Sequence, residues 1–138
     1  MLDPTILVRG RAKVVFELVG PDGSALTEFV PLHEKGLRFI AIRRDMTGFQ
    51  HVHPVMHEFG TWTADLQLVT GDGRFFADFQ PPNHEPMTLG VVASVAGIYN
   101  PQALSDPVRI VSAGPYTVTL AGELSAGSPS ELTFSTLR

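Results

Sequence analysis

The stretch Thr61–Leu68, TWTADLQL, sets Trp62, Ala64, Leu66 and Leu68 at every second position, with Thr61, Thr63, Asp65 and Gln67 between them. Only an extended chain sends alternate side chains to opposite faces, so this period of two specifies a strand with one buried side. Similar short runs recur at Ala12–Val19, Leu37–Arg44, Arg74–Gln80, Met87–Ala96, Val108–Ser112, Tyr116–Leu120 and Glu131–Leu137. Gly20-Pro21-Asp22-Gly23 and Gly71-Asp72-Gly73 are expected to turn the chain between them, because Pro fixes φ and Gly admits positive φ. Leu26–His33 is a further extended run, expected at an edge or a bulge because Pro31 cannot donate to a ladder. No window supplies apolar residues at i, i+3 and i+4 for three turns. About seven to nine short strands in this order predict an all-β fold, an antiparallel β-sandwich of the immunoglobulin-like type.

A chain of 138 residues buries roughly 68–70% of the surface its unfolded form exposes, enough for a core without staples. It carries no cysteine, which excludes disulfides, thiolate metal sites and cysteine nucleophiles. The net charge is −4, and Arg9, Arg11, Lys13, Arg43 and Arg44 are scattered rather than lining a groove, so no nucleic-acid footprint is expected. No apolar window approaches the roughly eighteen residues of a membrane span, and MLDPTILVRGRAK has no signal-peptide pattern. Residues 1–113 are expected to form the sandwich. Residues 114–138 are expected to be either its last hairpin or the start of a second, truncated copy, since YTVTLAGELSAGSPSELTF echoes the opening strands and sets Phe134 where Phe16 stands.

The chemistry concentrates in GFQHVHPVMHEFG, residues 48–60, which holds His51, His53 and His57 of the five histidines in the chain. In a strand ended by Pro54, His51 and His53 share a face with Cα atoms roughly 6.5–7 Å apart. Imidazole–metal bonds are about 2.0–2.1 Å, so two rings from i and i+2 converge on one ion with small χ adjustments. His33, His84, Met56, Asp45 and Asp78 are the other donors available; Asp78 lies on a largely apolar strand, where a carboxylate accepts hydrogen bonds, orients an imidazole or ligates. Imidazole and thioether without thiolate favour copper over zinc. The competing reading is a polar corner whose histidines bind backbone carbonyls. Met46, Met56 and Met87 read individually as core fillers, His57 as solvated and Trp62 as core.

His51-x-His53-x(4)-Glu58 also matches the heart of the first cupin motif, with His84 as the later histidine. Cupins are jelly-roll barrels that hold a metal for oxygenation or isomerisation. The framing glycines of that motif are replaced by Asp45 and Asp65, and nothing around His84 repeats the second motif. No nucleophile elbow or phosphate loop is present.

His33, the run Arg44-Asp45-Met46-Thr47-Gly48-Phe49-Gln50-His51-Val52-His53-Pro54, then Gly60-Thr61-Trp62 and Phe76-Ala77-Asp78-Phe79 together resemble a family of exported bacterial heavy-metal-associated β-sandwich proteins of the YtkA/FixH type. The resemblance covers roughly residues 12–95. It implies a location outside the cytoplasm, copper handling and a domain that often occurs twice. Relatives carry a second histidine where this chain has Arg38, which sets a cation beside the expected site.

The expectation from sequence is therefore a non-catalytic carrier or sensor of copper or another divalent metal, held by His51 and His53 with His33 or Asp78 completing the shell. The alternatives are an adhesion or assembly module that docks a protein partner and takes no metal, and a cupin-like metal-dependent enzyme.

Overall fold

Phe39 stands opposite Ala77, and Ala41 opposite Phe75, across one antiparallel strand pair, so each ring meets a small partner. Such alternation of large and small lets a second sheet seat closely on the first. It organises the computed structural model, which describes residues 7–31 and 36–138. The chain divides into two units, Met1–Leu104 and Ser105–Arg138.

The first unit contains β1 (Gly10–Glu17), β2 (Leu37–Arg43), β3 (Gln50–Val52), β4 (Val55–Met56), β5 (Thr61–Leu68), β6 (Gly71–Phe79) and β7 (Met87–Val95). They form two antiparallel sheets, one in the order β3-β2-β6-β7 and one in the order β1-β5-β4. Val14, Phe16, Trp62, Ala64, Leu66 and Leu68 from the second sheet are buried in one cluster with Leu37, Phe39, Ala41, Phe75, Ala77 and Phe79 from the first. Phe16 stacks on Phe39 across the sheets with ring centroids 4.8 Å apart, and Phe39 tilts onto Phe75 at 5.4 Å. Each such side chain contributes about 1.5–3 kcal/mol when fully removed from water, which makes the alternating positions the main source of stability. The arrangement is sandwich-like and all-β, as the sequence predicts. Among the described residues neither sheet closes into a barrel.

Two local expectations change. Gly71-Asp72-Gly73 does not turn the chain but opens β6, and the reversal falls at Val69-Thr70. Gly71 has φ +114°, and a Cβ there would run into the Tyr99 ring, so glycine serves a close approach rather than a turn. Leu26–Pro31 forms no strand; its backbone is tied at Leu26 N–H to Leu18 C=O and at Val30 N–H to Gln80 C=O. Phe29 from this segment meets Trp62 and Phe79 edge-on at 5.3 and 5.9 Å and so seals one end of the core.

The second unit is a three-stranded antiparallel meander, β8 (Ile110–Ala113), β9 (Tyr116–Ala121) and β10 (Thr133–Leu137), in the order β10-β9-β8. Ile110–Ala113 pairs with β9 and lies in the Ser105–Arg138 unit. Phe16 is 4% exposed and Phe134 is 67% exposed. Among the described residues no helix is long and apolar enough to cross a membrane.

Candidate functional site

The histidine pair is positioned by the loop before it. Arg43 N–H donates to Thr47 C=O at 3.0 Å and Met46 N–H to Arg43 C=O at 2.9 Å, closing a tight turn in which Met46 and Gly48 adopt positive φ. Asp45 fixes this turn from inside. Its Oδ1 accepts from the Thr47 hydroxyl at 2.7 Å and the Thr47 N–H at 3.2 Å, and its Oδ2 accepts from Gln102 N–H at 2.9 Å. The Arg43 guanidinium lies 3.3 Å away, with the Asp45 side chain only 5% exposed, and stacks over Tyr99. The Gln102 N–H first, then the Thr47 hydroxyl and the Arg43 charge, hold the Asp45 carboxyl down to about 2. Asp45 is thus committed to the loop and offers no free donor to an ion.

From this loop the chain enters β3 with Gln50 opposite Ala41, His51 opposite Ile40 and Val52 opposite Phe39. Val52 packs against the core, so His51 takes the outward face. Gln50 points between the sheets. Its amide donates to Gln67 C=O and accepts from Gln67 N–H, both at 2.8 Å, so the side chain pairs with the edge of β5 much as a backbone would. His53 and Pro54 carry the chain across to β4, which pairs with β5 through Val55–Thr63 and Met56–Trp62. The pair therefore sits where the chain leaves one sheet for the other.

His51 and His53 are both exposed, and their ring centroids lie 5.0 Å apart with planes inclined at 59°. A ring bound at about 2.0–2.1 Å has its centroid about 3.2 Å from the ion, so two rings on one ion stand about 4.5 Å apart at a right angle and about 5.2 Å apart at the tetrahedral angle. The observed separation falls within that interval. Among the described residues neither ring has a hydrogen-bond partner.

The other expected donors are placed differently. His33 lies outside the described residues. Asp78 shares the outward face of β6 but stands two strands from β3, about 10 Å at the usual strand spacing. It lies opposite Arg38 and accepts the Thr88 hydroxyl at 2.6 Å, so the carboxylate on its apolar strand serves as a hydrogen-bond acceptor. His57 is exposed, and its Nε2 meets the Thr63 hydroxyl at 2.9 Å. His84 lies in the β6–β7 turn, where its C=O accepts from Gln80 and its N–H donates to Pro81 C=O. Among the described residues, no group of three or more His, Asp or Glu side chains is assembled for a metal.

The sequence undervalues two residues here. Gln50 closes the join between sheets, a role with no local signal because its partner is 17 positions away. Arg38 precedes the Ile40 partner of His51 by two positions, so it lies diagonal to His51 on the same face. Its Nε is buried without a hydrogen-bond partner. Comparisons with protein-family models, with curated proteins and with solved structures return no match to this chain.

Proposed function

We propose that the first unit is a metal-binding module that takes copper, or another divalent ion, through His51 and His53 and acts as a carrier or sensor rather than a catalyst. The observation that carries this reading is the 5.0 Å separation of two exposed imidazoles that have no hydrogen-bond partner among the described residues. Two imidazoles at this separation suit Cu(II), which also heads the divalent affinity order for nitrogen donors. His33, which the resemblance names, or a ligand from solution completes the shell; Asp78 stands too far off in this arrangement. An exposed site with open positions exchanges its ion readily, which fits carriage. The resemblance of the Arg44–Pro54 run to exported metal-associated proteins supports a role outside the cytoplasm.

The strand order supports an immunoglobulin-like reading of the unit. The sheet β1-β5-β4 corresponds to strands B, E and D of that fold, and β3-β2-β6-β7 to C′, C, F and G. Leu7 adds a parallel bridge to Val95 of β7 before Gly10 leads the chain into β1 on the other sheet.

One observation favours the assembly-module reading. β7 is an edge strand with Leu89, Val91 and Val92 exposed, beside a groove of about 440 Å³ that Phe16, Leu18 and Val19 also line. Such an edge accepts an added strand.

Calorimetric titration with Cu(II), Zn(II) and Ni(II) separates the two. The metal reading expects one ion per chain, with Cu(II) tightest, and no uptake when His51 and His53 are both changed to alanine. Uptake also falls on acidification, because protons compete for the same nitrogens. Unchanged binding in the double variant, or none by the parent, overturns it; the second result favours the assembly module.

A further inference from the structure

Resting on the metal reading, we propose that the cargo of the His51–His53 pair is not the bare ion but a copper(II) chelate of an α-amino acid, with Arg38 holding the free carboxylate oxygen. The outward face of the four-stranded sheet supplies the geometry. The row next to His51 runs through Arg38 on β2, Asp78 on β6 and Thr88 on β7. Arg38 is half-buried, its Nε has no hydrogen-bond partner, and no ion pair among the described residues involves it. Asp78, the cross-strand carboxylate, is engaged by the Thr88 hydroxyl. The buried Nε is out of reach of a ligand, but the terminal nitrogens of a guanidinium that makes no ion pair among the described residues are open to an anion.

A bare dication beside Arg38 meets a like charge. An anionic co-ligand between them removes the conflict, and the chemistry of both sides selects its type. Two imidazoles leave Cu(II) two cis positions in a planar N,O shell. An α-amino acid fills both with its amino nitrogen and one carboxylate oxygen, and its second oxygen projects outward from the five-membered ring. Arg38 presents a planar fork of N–H donors suited to a carboxylate. Neither a purely aqueous ion nor a neutral diamine chelate offers that oxygen.

The test compares the one-to-one Cu(II) complexes of glycine and of ethylenediamine, which leave the same two positions free, for binding to the parent chain and to Arg38→Gln. The proposal expects the parent to bind the glycinate complex about tenfold more tightly than the diamine complex, the size of one charge-assisted hydrogen bond. Arg38→Gln removes that preference while still binding the diamine complex. Equal affinities in the parent, or a preference that survives in Arg38→Gln, overturn the proposal and leave the histidine pair standing. Binding of neither complex by the parent, or of both by the His51→Ala, His53→Ala double variant, brings down the metal reading and the chelate with it.

Discussion

At the residue scale, Asp45 shows how one carboxylate changes meaning between sequence and structure. Beside a histidine cluster it reads as a donor approaching an ion, because spacing along the chain says nothing of which groups turn inward. In the fold its oxygens are taken by Thr47 and by Gln102, a partner 57 positions away that no local pattern announces. The nearness of His51 and His53 has a local cause instead: they stand i to i+2 at the end of β3, and their rings lie 5.0 Å apart. The Asp45 carboxyl is held to about 2, below its ordinary value of 3.8. A depressed carboxyl stabilises the fold fully above the ordinary value, and that contribution is lost as pH falls towards about 2, because the unfolded chain binds the proton first. Urea midpoints measured between those limits should therefore fall with pH in the parent and fall less steeply in Asp45→Asn. Parallel slopes would remove Asp45 from the account.

At the element scale, the strands that build the core were readable over their length, whereas of those that build the site only β3, inside an extended segment ended by Pro54, was legible and β4 was not. Thr61–Leu68 matches β5 end to end because its alternation is long and one-sided. β3 and β4 have three and two residues, and the two of β4 are too few for a period to register. What secures them is Pro54 at the crossing, visible in sequence, and the amide of Gln50, whose pairing with Gln67 is not. This pairing extends the protection of β5 past the end of β4. Gln50→Ala leaves Gln67 N–H without its acceptor, at a cost of about 1 kcal/mol for one hydrogen bond. Hydrogen exchange followed by NMR should then show the Gln67 amide opening several-fold faster, with Ala64 and Leu66 in the core little changed. An unaltered Gln67 rate would mean the amide does not hold the sheets together.

At the scale of the molecule, fold class followed from period and turn chemistry, whereas the partition of strands did not. Ile110–Ala113 reads in sequence as a late strand of the sandwich, yet it pairs within the Ser105–Arg138 unit. Strand identity is a local property and strand partnership is not, since partners are chosen by register with segments far along the chain. In the first unit that choice brings two imidazoles to the rim where the chain changes sheets, and sets Arg38 diagonal to His51 on the same face. The most direct test of the central claim is pulsed electron paramagnetic resonance of the chain with one equivalent of Cu(II) near neutral pH. Modulation from the remote ring nitrogens counts the imidazoles on the ion. The account predicts that at least two couple in the parent, and that His51→Ala and His53→Ala each remove one. A single-imidazole pattern in the parent, or a pattern that neither substitution alters, would contradict it.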